Sequence, residues 1–153
     1  MIAVLQRVKR ASVAVENETV GSCGEGLCIL LGVAREDTEA DAEVLAEKIL
    51  GLRIFPDETD KMNLSVRDVE GEALIVSNFT LLASYKKGKR PDYMGAAAPA
   101  EANRLYEYFA DLCERQLRHV GRGRFGAHME IDLVCDGPVT ITMDSKVLRS
   151  DRK

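Results

Sequence analysis

Two histidines, four cysteines and no apolar stretch approaching the ~20 residues of a membrane helix are what the 153-residue chain has least of. Each shortage removes a class of function. His119 and His128 are too few, and too poorly spaced against Cys23, Cys28, Cys113 and Cys135, for a tetrahedral zinc site, so no metal and no cofactor are expected. The cysteines form no CxxC pair and are too sparse for a disulfide scaffold, which makes them reduced thiols. Cys28, inside the apolar run 27–33, and Cys113, on the apolar side of a helical stretch, are expected in the core. Positive charge is also in deficit: a net charge of -4 and a pI near 5.3 exclude a broad basic face that coats nucleic acid. Met1 leads straight into an apolar run without a basic n-region, cleavage site or Arg-rich leader, so a cytoplasmic protein without membrane association is the expectation. Internal repeats, low-complexity segments and long linkers are missing too. So is any recognisable Ser-His-Asp, Cys-His or paired-carboxylate arrangement.

What is present reads as one globular domain. Hydrophobic residues make up 46% and charged residues 30%, and the length suffices to bury a core without metal or disulfide support. Residues 1–8 and 12–16 read as paired strands, and 26–33 as a buried strand. Thr38 with Asp41 resembles a capping box, after which Ala42, Leu45, Ala46, Ile49 and Leu50 recur at helical spacing up to Gly51. Residues 65–69 and 72–82 read as a further strand pair. Pro99 suits a first helical turn, and Leu105, Phe109, Leu112, Leu117 and Val120 mark a second helix ending before Gly121 and Gly123. His128, Glu130 and Asp132 alternate with Met129, Ile131 and Leu133; Thr140 and Thr142 alternate with Val139, Ile141 and Met143. Between these two strand-like arms, Asp136-Gly137-Pro138 reads as a hairpin tip. The fold class is therefore α+β. Residues 1–145 form the domain and 146–153, with Lys146, Arg149, Arg152 and Lys153, a frayed basic tail.

Four segments stand out in order: Lys61-Met62-Asn63-Leu64-Ser65, Ser77-Asn78-Phe79-Thr80-Leu81, Gly123-Arg124-Phe125-Gly126-Ala127-His128-Met129, and Cys135-Asp136-Gly137-Pro138-Val139-Thr140. With Met1-Ile2-Ala3-Val4-Leu5-Gln6-Arg7-Val8 at the start, they resemble the D-aminoacyl-tRNA deacylase (D-tyrosyl-tRNA deacylase) family nearly end to end. That family's signatures are Ser-Gln-Phe-Thr-Leu and Asn-Asp-Gly-Pro-Val-Thr. Asn78 stands where the family usually has Gln, one methylene shorter, and Cys135 where it usually has Asn.

The resemblance implies a single domain with a mostly antiparallel, barrel-like sheet covered by two main helices. It also implies a homodimer that hydrolyses the ester between an amino acid and the terminal adenosine of tRNA. Ser77, Asn78, Phe79 and Thr80 would form the catalytic segment, with the Phe79 backbone N–H stabilising the oxyanion and the 2'-hydroxyl of the RNA helping to activate water. Thr80 carries a hydroxyl, but no histidine or lysine can be paired with it as a base from the sequence, so it is weighed as a positioning residue. Side-chain affinity separates mirror images poorly, so L-residues must be rejected by a wall near Cα. The carbonyls of Gly137 and Pro138 are the candidates, joined in the family by a cis bond and reaching into the partner subunit's site; glycine would pass such a wall. Lys87 and Arg90, from the cluster with Lys86 and Lys89, are the candidate contacts for the tRNA 3' end, and Arg115, Arg118, Arg122 and Arg124 form a second basic cluster. Two rival readings remain: a catalytically weak module that binds the tRNA 3' end, and a general esterase acting through Thr80.

Overall fold

The computed structural model describes residues 1–150. Its element order is β1 (Ile2–Val15), β2 (Glu18–Cys23), β3 (Gly26–Gly32), α1 (Glu39–Gly51), β4 (Phe55–Pro56), β5 (Met62–Leu64), β6 (Glu72–Ser77), a 3-10 turn (Phe79–Leu82), α2 (Pro99–Glu114), β7 (Val120–Arg122), β8 (Glu130–Asp144) and α3 (Ser145–Ser150). One sheet runs β2-β1-β3-β6-β7, with β8 paired to the free side of β1; β4 and β5 make a separate small hairpin. Three of the main sheet's five pairings are antiparallel (β1 with β2, β3 and β8), while β3–β6 and β6–β7 are parallel. The sheet is thus mixed. β3 and β6 have apolar residues on both faces because both faces are covered, as parallel strands usually demand.

Two apolar clusters lie on either side of this central pair. Leu27, Ile29, Leu31, Ala73 and Ile75 join Ala3, Leu5 and the buried stripes of α1 and α2; Cys28, Leu74 and Val76 join Val8, Ala11 and Val13. β1 serves both layers through one irregularity. Up to Val8 its odd-numbered apolar residues face the helices, but Lys9 is an extra residue between the pairs Val8–Cys135 and Arg10–Val134, and beyond it Ala11 and Val13 face the second cluster. Residues 1–8 and 12–16 are therefore not partners. They are two stretches of a single bent strand, joined by a bulge that alternation alone reads as an interruption.

The sheet nearly closes into a barrel where β2 meets β7. A Cβ on Gly21 would lie 2.3 Å from the Arg122 carbonyl oxygen, and one on Gly121 the same distance from that of Ser22, so glycine is what lets the two backbones cross. His119 joins the crossing, its Nε2 2.8 Å from the Ser22 carbonyl oxygen.

The helix starts follow expectation, but α2 ends at Glu114, short of the expected Gly121: Leu117 lies beyond it and Val120 opens β7. The Thr38 N–H donates to Asp41 Oδ2 at 2.9 Å at the start of α1, and Pro99 opens α2. Three other expectations need correction. The expected 65–69 strand is absent, with a turn over 66–70, and the 72–82 strand stops at Ser77. The two arms around Gly137 and Pro138 are collinear, both paired to β1, so this is no hairpin. The stretch from Lys146 to Ser150 is helical rather than frayed: Arg149 Nη1 donates to Asp41 Oδ2 at 3.0 Å, and Ser145 Oγ to Asp41 Oδ1 at 2.8 Å. Arg152 and Lys153 lie outside the described residues. Among those described, no helix is long and apolar enough to cross a membrane, and no cluster of His, Cys, Asp and Glu could hold a metal.

Candidate active site

β6 runs parallel to β3 until Ser77, and the Asn78 N–H still reaches the Leu31 carbonyl at 2.8 Å. The chain then turns into the 3-10 segment from an extended Asn78. Gly32 makes room: a Cβ there would sit 2.5 Å from Leu82 Cδ2 and 3.0 Å from the Asn78 carbonyl oxygen. The first amides of a helical segment have no acceptor behind them, and the N–H groups of Phe79 and Thr80 find none among the described residues. Both residues line a cleft of about 740 Å³.

Ser77, Asn78, Phe79 and Thr80 all line this cleft, opposite Ala96, Ala97, Ala102 and the 125–129 loop. The Thr80 hydroxyl donates to the Asn78 side-chain oxygen, so the shorter amide at this position is engaged in fixing the threonine. An amide oxygen is no base. His128 lines the same cleft, yet no hydrogen bond joins it to Thr80. The Phe79 ring is 55% exposed and meets Tyr93 edge-on, with centroids 5.1 Å apart. Tyr93, Phe125 and His128 are site residues that sequence reasoning had not placed there. Phe125 and His128 fall in a segment already singled out, whereas nothing near Tyr93 marked it.

Gly137 and Pro138 do not line the cleft of their own chain. Gln6 pairs with Thr140 and Val8 with Cys135, so the four residues Asp136 to Val139 stand opposite Arg7 alone and leave the ladder as an outward loop. The Gly137–Pro138 bond is cis and both residues are exposed. Polar groups on β1 clamp the neck of the loop. Gln6 Oε1 accepts from the Thr140 hydroxyl at 2.9 Å and from the Cys135 thiol at 3.4 Å, one on each side. Arg7 Nε donates to the Asp136 carbonyl at 3.0 Å and Nη1 to the Ile54 carbonyl at 2.7 Å. Cys135 thus has a partner despite replacing an amide.

The other thiols are inert by burial. Desolvation pushes Cys28 and Cys113 up to about 12 and Cys23 to about 11, far from a thiolate at neutral pH. The two basic clusters also diverge. Arg122 is held by Glu107, Asp111 and Glu114, and Arg118 by Glu72, whereas Lys86, Lys87, Lys89 and Arg90 are exposed and make no ion pair among the described residues.

These features define a class: a small α+β domain with a near-closed sheet and a cleft whose polar wall is backbone. Comparison with known proteins makes it specific. The model of the D-Tyr-tRNA(Tyr) deacylase family matches residues 4–144, and the chain belongs to that family. A D-aminoacyl-tRNA deacylase of Caldicellulosiruptor saccharolyticus is 57% identical, covering 95% of this chain and 98% of its own. One from Bacillus cereus is 53% identical over 95% of this chain and all of its own. Among solved structures, a c-Myc DNA unwinding element binding protein superposes with a TM-score of 0.89 at 41% identity, covering 94% of this chain and 98% of its own. A probable eukaryotic D-amino acid tRNA deacylase, at 17% identity, shares the fold with a TM-score of 0.82 over the same shares.

Proposed function

We propose that the cleft hydrolyses the ester of D-aminoacyl-tRNA, releasing tRNA and the free D-amino acid. The observation that carries this reading is the pair of unpartnered N–H groups of Phe79 and Thr80 at the cleft wall, in the segment that resembles the family signature. Donors already aimed at the place where charge develops cost no reorganisation during reaction, and one such donor contributes about 3–4 kcal/mol. The Phe79 N–H receives the oxyanion as water adds to the ester carbonyl. The ester C–O bond then breaks and the ribose 3'-oxygen leaves with a proton. Water is activated with help from the neighbouring 2'-hydroxyl, since no base is bonded to Thr80. Ser77, Asn78 and Thr80 position the ester.

Chiral rejection belongs to the outward loop of a second copy. The cleft rim passes through Met129 into Ile131, and Leu133 continues an exposed apolar strip on the same face of β8. Exposed apolar strips of this kind suit a homodimer. In that assembly, Gly137 and Pro138 of one copy enter the other's cleft, and their carbonyls occupy the space an L side chain needs. Glycyl-tRNA, with no side chain to exclude, is a second substrate. Lys87 and Arg90 hold the tRNA 3' end.

The test compares D-tyrosyl-tRNA, L-tyrosyl-tRNA and D-tyrosine carried on the 3'-hydroxyl of a 2'-deoxyadenosine-ended tRNA. Rapid loss of the first alone is the expected outcome. Equal hydrolysis of both isomers would sink the proofreading reading, and tRNA binding without hydrolysis would favour the binding module. Thr80→Val should keep hydrolysis within about tenfold, since a positioning hydroxyl contributes far less than a nucleophile; complete loss points to the esterase.

A further inference from the structure

Between the Phe79 turn and α2 the chain makes an excursion closed like a clasp. The Ser84 N–H donates to the Asp92 carbonyl at 2.7 Å and the Asp92 N–H to the Ser84 carbonyl at 2.9 Å. Gly88 turns the tip at a φ of +65°. The seven residues between the clasp partners include Lys86, Lys87, Lys89 and Arg90, in a chain whose net charge is -4. Many cations elsewhere are engaged: Arg67 with Glu47, Arg104 with Glu39 and Glu101, Arg118 with Glu72, Arg122 with three carboxylates, and Arg149 with Asp41. Four uncompensated charges on one short loop repel one another and destabilise it slightly. They do nothing for the fold.

The loop also carries Tyr85, which is 84% exposed, the most of any large hydrophobic residue described. Exposed cations beside an exposed aromatic face form the pair of features that holds single-stranded nucleic acid: cations track phosphates and the ring stacks on a base. Position fits as well. The clasp partner Asp92 immediately precedes Tyr93, which lies against Phe79 at the cleft. The loop is therefore joined directly to the cleft wall through Tyr93.

We infer that Tyr85 and the cations of the 84–92 loop form a clamp for the unpaired 3' nucleotides of the RNA substrate, Tyr85 stacking on a base and the four cations holding consecutive phosphates. This rests on the deacylase reading for the identity of the RNA and deepens it by naming Tyr85 as the residue that recognises an unpaired strand.

The experiment measures affinity for uncharged tRNA, for a short single-stranded RNA ending in CCA and for a blunt duplex of the same length, across a salt series. Because none of these carries an aminoacyl ester, failure of the catalytic reading leaves the binding result intact. Replacing all four cations by alanine should flatten the slope of log affinity against log salt by up to about 3, near 0.7 for each charge. Single replacements, with a thermal melt as a folding control, should each lower it by a proportionate step. The distant exposed cation Lys48, replaced by alanine, should leave it unchanged. Tyr85→Ala should weaken single-strand binding about fivefold or more at unchanged slope, and Tyr85→Phe should restore it. An unaltered slope in the fourfold variant overturns the clamp. Unchanged affinity in Tyr85→Ala, or duplex bound as tightly as single strand, overturns the stacking role.

Discussion

Two breaks in two strands carry the candidate site, and they are built in opposite ways. After Ser77, the chain turns closely over Gly32; at Asp136, β8 throws a four-residue loop outward and ties its neck with side chains from β1. The first backbone is positioned by close packing and tolerates almost no added volume. The second is positioned by hydrogen bonds and tolerates volume but not the loss of a donor. On the proposed reading, reaction and discrimination thereby fall under separate physical control.

The largest test of that contrast is Gly32→Ala. The new methyl must push Leu82 or the Asn78 carbonyl, shifting the Phe79 and Thr80 amides. Single-turnover hydrolysis should fall by about a hundredfold, the cost of misplacing reacting groups by about 1 Å. Urea unfolding should show only about 1–3 kcal/mol of overpacking.

Arg7→Met should do the reverse. Removing the donors to the Asp136 and Ile54 carbonyls frees the loop. The D over L preference in kcat/KM should drop about tenfold, equivalent to one charge-assisted hydrogen bond, while hydrolysis of the D-ester changes less. If both variants lower rate and selectivity together, the two regions are not separable.

Tyr106→Phe sharpens the packing side. Its buried hydroxyl donates to the Ile75 carbonyl at 2.7 Å behind β6, but that oxygen also accepts from the Gly123 N–H at 3.1 Å. The loss should be about 1 kcal/mol in urea unfolding.

The smallest effect is on the acid side. Burial by itself would raise Asp41, but the Thr38 N–H, the Ser145 hydroxyl, Arg149 and the Met1 ammonium outweigh it and hold the carboxyl below its usual range. A lowered native pKa gives stability that is fully present above the unfolded value near 4 and lost as pH falls through the native one. Asp41→Asn should therefore flatten the decline in thermal midpoint below about pH 4, leaving activity at neutral pH unaffected.

Much of this contrast was legible in residue order. α1 and α2 announced themselves through the Thr38–Asp41 cap, Pro99 and their apolar spacing, and the continuous apolar run of β3 pointed to a buried strand. The Phe79 segment was found by its resemblance, not by its chemistry, because backbone amides leave no trace in side-chain identity. The outward loop was misread for a physical reason: Asp-Gly followed by Pro favours a turn whether the flanking strands fold back or continue, and only the partner strand decides. Tyr93 and Phe125 reach the cleft from separate loops, so no local period links them.

The bulge at Lys9 gives β1 something like a reading frame. On its N-terminal side the odd positions Ala3 and Leu5 face the helices; on its C-terminal side the odd positions Ala11 and Val13 face the other layer. Loss of one residue within 11–14 would transpose the apolar residues beyond it onto the wrong face. Loss of Lys9 itself would leave every apolar side chain on its present face and merely straighten the strand. The chain's longest pairing thus has one position where its length can drift by a single residue, and it lies two residues from Arg7; on the proposed reading such drift would be felt first in substrate choice rather than in folding.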